Sequence, residues 1–138
     1  MTPIIRPLTI DDHPLCEALW RVTEGIGESP TRTQLAAFIK RNPGFSQVAE
    51  VEGRILGVLL VSFDGIRGYF YRAAVDRSVR RQGIARALIT SASQQLQSAG
   101  AIRINLHVFG NNQPALAFWH TLGWRPYEGL LCLRRELS

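Results

Sequence analysis

The residues best suited to chemistry lie in one short turn, Arg80-Arg81-Gln82-Gly83-Ile84-Ala85-Arg86. An apolar stretch ending at Val75 precedes it, and an apolar pattern at helical spacing follows. Where a strand passes into a helix in this way, the first backbone N–H groups of the helix have no intrahelical partner. They face outward at the positive end of the macrodipole, which makes an anion site. Gly83 lets the backbone approach a ligand closely, and arginine forks match phosphate oxygens. A pyrophosphate is the anion this arrangement suits. Taken alone the turn is a weak signal, because many glycine-and-arginine turns only cap a helix.

The charge distribution points to the same place. Of 138 residues, those from 1 to 76 carry 8 basic and 9 acidic side chains, and those from 128 to 138 carry two of each. Residues 77–127 carry six arginines and no Asp or Glu, so the net +5 is concentrated around the turn. A nucleic-acid surface would spread its basic residues along a face, with exposed aromatics among them. A small polyanion accounts for the asymmetry more economically. The length suits one domain, 1–138, and 46% hydrophobic content is ordinary for a globular chain. No apolar run is long enough to span a membrane, and the opening residues lack a signal-peptide pattern. Cys16 and Cys132 match no metal-ligand spacing and read as free, buried thiols in a reducing compartment. A cytoplasmic location is the expectation, with a monomer or homodimer as the assembly.

The elements that must position the turn are legible from periodicity. Residues 4–8 read as a first strand. Asp11 or Asp12 can cap a helix running to about Glu24, with Leu15, Leu19 and Val22 on its apolar stripe and Trp20 beside it. The Gly25-Ile26-Gly27-Glu28-Ser29-Pro30 segment breaks it, and a second helix over 31–41 turns Leu35, Phe38 and Ile39 inward. Strands follow over 45–51 and 54–63, joined at Glu52-Gly53, and then over 68–75. The helix from Gly83 to Ala99 presents Ile84, Leu88, Ala92 and Leu96, and Gly100 stops it. A strand is expected over 101–108, then a helix capped by Asn112 and ended by Gly123, and closing strands over 124–127 and 130–136. The order βααβββαβαββ is an α/β fold, a mixed sheet with helices on both faces.

A second motif completes the pattern: Asn112-x-x-Ala115-x-x-Phe118-Trp119-His120-x-Leu122-Gly123-Trp124. With Arg80-x-x-Gly83-x-Ala85 it resembles the GNAT superfamily of acetyl-coenzyme-A-dependent N-acetyltransferases, and the likeness covers essentially the whole chain. The resemblance implies the GNAT-type acyl-CoA N-acyltransferase fold, in which the fourth strand bulges and splays from the fifth around the cosubstrate. It implies that the amides of Arg81, Gln82, Gly83, Ile84, Ala85 and Arg86, with Arg80, hold the pyrophosphate of acetyl-CoA. It further implies that Val75 meets the pantetheine arm and that an N–H near Ala74 or Val75 polarises the thioester carbonyl. Asn112 matches an asparagine that contacts the same arm, a role compatible with capping its own helix.

Acetyl transfer needs a neutral amine, a polarised carbonyl and a leaving thiolate. Many family members have a tyrosine at the position of Trp119 to assist the thiolate. An indole N–H can donate a hydrogen bond there but cannot transfer a proton, and the alternative for Trp119 is core packing. Tyr71, Tyr127 and His120 are the other candidate acids. His107 falls where ribosomal-protein alanine acetyltransferases carry a glutamate proposed as base. An imidazole suits that task near neutrality, while the bland reading is a hydrogen-bonded histidine on a partly covered strand. Tyr69 stands where other members have a strand-four glutamate and reads as a wall of the acceptor pocket. The resemblance places the acceptor, a primary amine, between the first two helices and the closing hairpin, near Trp20, Arg21, Glu24 and Glu28. The competing functions are an acyl-CoA-binding module with little turnover and an acetyltransferase acting on aminoacyl-tRNA.

Overall fold

The computed structural model describes residues 2–23 and 25–137; Glu24 therefore lies outside the described residues. The chain divides into two compact units, Met1–His107 and Val108–Ser138. In the first, one sheet runs in the order β1 (Ile4–Pro7), β2 (Gln47–Val51), β3 (Arg54–Phe63), β4 (Gly68–Val75) and β5 (Ile104–Leu106). All neighbours are antiparallel except β4 and β5, which are parallel. Three helices belong to this unit: α1 (His13–Arg21), α2 (Arg32–Arg41) and α3 (Ile84–Ala99). The second unit holds α4 (Gln113–Thr121).

Strand β3 lies at the centre of the sheet, and Ile55 through Val61 are all buried, as a continuous apolar run covered on both faces should be. Val58 and Leu60 join a cluster with Cys16, Leu19 and Trp20 of α1 and Leu35 of α2. Alternate residues meet α3, and glycine makes that approach possible. A Cβ at Gly57 would lie 2.9 Å from Ile84 Cγ2 and 3.0 Å from Leu88 Cδ1. One at Gly68 would lie 2.4 Å from Leu96 Cδ1. Both ends of α3 are thus seated over glycines, which fixes where its N-terminus points.

Several expectations need correction. The inward face of α1 is Cys16, Leu19 and Trp20; Leu15 and Val22 are 47% and 69% exposed. A 3₁₀ turn at Ile10–Asp12 precedes α1 and sets its phase, and the face selected buries the large indole. Neither Asp11 nor Asp12 caps α1 through its side chain. The Asp12 carboxylate instead accepts from the Thr9 amide at 2.9 Å and from Arg6 Nη1 and Nη2 at 2.9 and 2.8 Å. Helix α2 starts at a reciprocal cap, Gln34 N–H to Thr31 Oγ1 at 3.2 Å and Thr31 N–H to Gln34 Oε1 at 2.9 Å.

Strand β5 is only Ile104–Leu106, shorter than its alternating pattern, and the expected closing strands over 124–127 and 130–136 do not form. Alternation is a preference for a pleated surface and becomes a strand only against a paired backbone. Leu131, Leu133 and Leu137 stay 81%, 87% and 97% exposed. Cys132 is exposed with them, whereas Cys16 is buried as expected. Among the described residues no helix is long and apolar enough to cross a membrane.

Candidate functional site

The register between β3 and β4 runs Val58 opposite Ala74 and then Leu60 opposite Tyr71, with an irregularity between. Arg72 and Ala73 therefore share the single partner Leu59, which is a β-bulge, and Arg72 takes φ 50°. On its other edge β4 pairs with β5 only from Gly68 to Phe70. From Tyr71 to Val75 that edge has no β5 partner. The expected bulge of the fourth strand is present, and among the described residues β5 ends where the unpaired half of β4 begins.

Beyond Val75 the chain forms a compact, locally bonded turn. Asp76 Oδ1 accepts from the Ser78 amide at 2.9 Å and from Ser78 Oγ at 2.6 Å, shaping a 3₁₀ turn over Arg77–Val79. These two bonds hold the Asp76 carboxyl below its ordinary range. The Asp76 amide donates to Leu56 O at 2.8 Å, and Arg80 Nε donates to Val75 O at 3.2 Å. Arg81 and Gly83 then adopt φ 67° and 83°, which turns the backbone sharply into α3. No side chain caps the helix, and the first bond across its start is Ala87 N–H to Gly83 O at 2.9 Å. The amides before Ala87 are the open donors of a helix N-terminus.

Ile84 is buried as the anchor of this turn and Ala85 is half-buried, while Arg80, Arg81, Gln82, Gly83 and Arg86 face solvent. A Cβ at Gly83 would meet nothing within 4 Å. Arg77, Arg80, Arg81 and Arg86 form no ion pair among the described residues, so their charge is not neutralised. A cavity of about 340 Å³ opens beside the turn, between Leu19, Val22 and Thr23 at the end of α1 and Val75–Arg77 with Arg80. Ala74 is buried against the α1 cluster, and Val75 lines the cavity. Val75 and Arg80 thus border one open cavity, and Arg81 through Arg86 continue beyond it as a largely exposed, arginine-rich turn.

The catalytic candidates are placed less uniformly. His107 is exposed and follows the end of β5 rather than lying within it. Tyr71 is 38% exposed, with its ring edge-on to Phe38 at 5.9 Å and stacked on Tyr69 at 6.3 Å. Its hydroxyl accepts from Ser62 Oγ at 3.5 Å. These rings form an aromatic wall along the half of β4 before the bulge. Trp20, expected near the acceptor, is 2% exposed and belongs to the core; Glu28 is exposed. In the second unit Asn112 Oδ1 accepts from the Ala115 amide at 3.2 Å, a helix cap. Trp119 is 8% exposed, with ring contacts to Phe118 at 5.2 Å and Trp124 at 5.1 Å. His120 and Tyr127 are exposed.

One residue escaped the sequence reading. Arg72 sends its guanidinium from the bulge into the 25–30 segment, where it donates to the carbonyls of Ile26, Gly27 and Glu28. The available signal was a lone basic residue inside an otherwise aromatic and apolar strand.

Comparison with known proteins agrees with this fold. The model of the Acetyltransferase (GNAT) family matches residues 13–124. The acetyltransferase SG1711 of Sodalis glossinidius (strain morsitans) is 32% identical over 99 residues, which is 72% of this chain and 70% of that protein. The acetyltransferase ECA0875 of Pectobacterium atrosepticum is 33% identical over 95 residues, 69% of this chain and 65% of that protein. The chain thus spans about two thirds of the length of these relatives. Among solved structures, the aminoglycoside acetyltransferase HMB0005 from an uncultured soil metagenomic sample superposes with a TM-score of 0.73 at 25% identity, covering 100% of both chains. With a family match across most of its length and the bulged fourth strand in place, the chain belongs to the acetyltransferase (GNAT) family.

Proposed function

We propose that this chain transfers the acetyl group of acetyl-CoA to a primary amine by direct attack within a ternary complex. The observation that carries the reading is the uncapped start of α3, reached through left-handed Arg81 and Gly83 beside the unpaired half of β4. The amides of residues 81–86 and the unpaired arginines hold the pyrophosphate, and Val75 orients the pantetheine arm. Acetyl-CoA supplies an activated thioester when bound. A fixed backbone N–H near Ala74 or Val75 polarises its carbonyl more effectively than water would, because it needs no reorganisation. Past the end of β5, His107 takes the proton that the acceptor nitrogen must lose for its lone pair to attack the carbonyl. The leaving thiolate is tolerable on its own, since a thiol pKa of about 8.5 is already low.

An aminoglycoside is the first acceptor class to test, because the solved relative that matches end to end acts in that class by its name. Release of CoA thiol is followed against aminoglycosides, peptides with a free N-terminus and polyamines. Turnover with at least one amine is expected. His107→Ala should lower kcat at neutral pH by ~10- to 100-fold with CoA affinity unchanged, and an unaltered pH–rate profile removes His107 from the reaction. A second reading, an acyl-CoA-binding module, is favoured by one observation: Trp119 is packed between aromatic rings in place of the usual tyrosine. Tight CoA binding without turnover on the whole panel would select it.

A further inference from the structure

We propose that Arg72 is a positioning residue that shapes the segment 25–29 from inside the strand-four bulge, and through it the acceptor side of the site. The inference rests on the acetyl-transfer reading only for what the segment faces; the contacts stand by themselves. Arg72 Nη1 donates to Ile26 O at 2.7 Å and also to Glu28 O. Arg72 Nη2 donates to Ser29 Oγ at 2.9 Å and to Gly27 O at 3.3 Å. The guanidinium carbon lies 5.0 Å from the centre of the Trp20 ring, and Trp20 Nε1 donates back to Arg72 O at 3.2 Å. One planar fork therefore gathers four acceptors from a segment more than forty positions away in sequence.

The segment is built to receive it. Gly25 and Gly27 adopt φ 77° and 74°, conformations that turn successive carbonyls toward one point. The Ile26 side chain packs against the core while its carbonyl faces the guanidinium. Next to it, Pro30 O is in contact with His13 Nε2 at 3.3 Å, so the segment is tethered at its far end as well. The Gly25–Pro30 sequence is thus more than a helix breaker; it is a carbonyl cage around a cation.

The arrangement carries local costs that stability alone does not explain. Arg72 occupies a left-handed backbone conformation, its charge has no carboxylate partner among the described residues, and its buried Nε has no hydrogen-bond partner. Burial moves its pKa down from the ordinary value. Strain and an unmet donor concentrated in one residue at a site edge are the signature of a geometry kept for function. Tyr71, its neighbour in β4, belongs to the aromatic wall, so the same bulge sets both the wall and the segment.

The test compares the full-length chain with Arg72→Lys and Arg72→Met. Lysine keeps the charge but cannot span four acceptors. Amide hydrogen exchange across residues 22–31 should speed by ~10-fold or more in both variants, with CoA affinity within about two-fold of wild type. With kanamycin A or an alanine-terminated peptide as acceptor, KM for the amine should rise by ~10-fold while KM for acetyl-CoA holds. Wild-type protection of 22–31 in Arg72→Lys would overturn the proposal. So would a parallel loss of CoA affinity, acceptor KM and melting temperature, which marks a merely structural role. If wild type turns over no amine of the panel, the transfer reading fails, and the exchange measurement still decides whether Arg72 orders the segment.

Discussion

The turn that opens α3 and the bulge inside β4 are near neighbours in sequence, yet they hold their shapes by opposite means. The turn is made of local contacts: Asp76 to Ser78, Arg80 to Val75, and glycine geometry at Gly83. It presents backbone, and Arg81 and Arg86 are exposed beside it. The bulge is held from far away, by Trp20 and by the carbonyls of residues 26–28, and it presents side chains. A cosubstrate common to a whole family can be recognised by backbone that tolerates variation in side chains. An acceptor particular to one member needs a surface that distant residues can reshape.

The sharpest way to break the contrast is Gly83→Val. A Cβ at Gly83 meets nothing within 4 Å beyond its chain neighbours, so the main effects fall on backbone conformation and on ligand approach. Calorimetry should show CoA affinity falling by ~100-fold or more, with stability reduced by only about 1–2 kcal/mol for a branched residue at positive φ. Retained affinity would mean that the turn is not the cosubstrate site. A smaller effect is expected from Gly68→Ala, which tests the seat that aims α3. Its Cβ would overlap Leu96, a residue with no exposure, so unfolding in urea should show a loss of about 1–3 kcal/mol. Much of that loss should disappear when the substitution is made in a Leu96→Ala background; an unchanged midpoint in the single variant would show that the packing yields.

The smallest effect concerns the long-range side of the comparison. Burial pushes the Asp12 carboxyl up, but the hydrogen bonds from Arg6 and Thr9 outweigh it and hold the group below the usual carboxylate range. A folded-state pKa below the unfolded value of about 3.9 contributes stability that is present above that pH and lost as pH falls through the folded pKa. Asp12→Asn should therefore lower the urea midpoint at pH 7, and the wild-type and variant curves should converge below about pH 4. Parallel curves down to low pH would remove Asp12 from the acid response.

Legibility followed the same division. The α3 stripe of Ile84, Leu88, Ala92 and Leu96 is buried as its spacing requires, because a long helix on a sheet obeys its own period. The hairpin at Glu52-Gly53 forms for an equally local reason, with both residues at positive φ. The face of α1 that turns inward differs from the Leu15–Leu19–Val22 stripe because Trp20 outweighs Leu15 in apolar area. The closing strands do not form because alternation cannot supply a partner strand. Arg72 went unnoticed since its acceptors are main-chain carbonyls, which have no residue identity to read.

What the sequence by itself determined is the uncapped, arginine-rich start of α3: the types and spacing of Arg80 through Arg86 suffice, since backbone donors at a helix start are set within a few residues. What only the tertiary structure decided is the bulge of β4, where one register brings Arg72, Trp20 and residues 26–29 together. Side-chain forks and carbonyl cages depend on distances across the fold, and no local pattern encodes those.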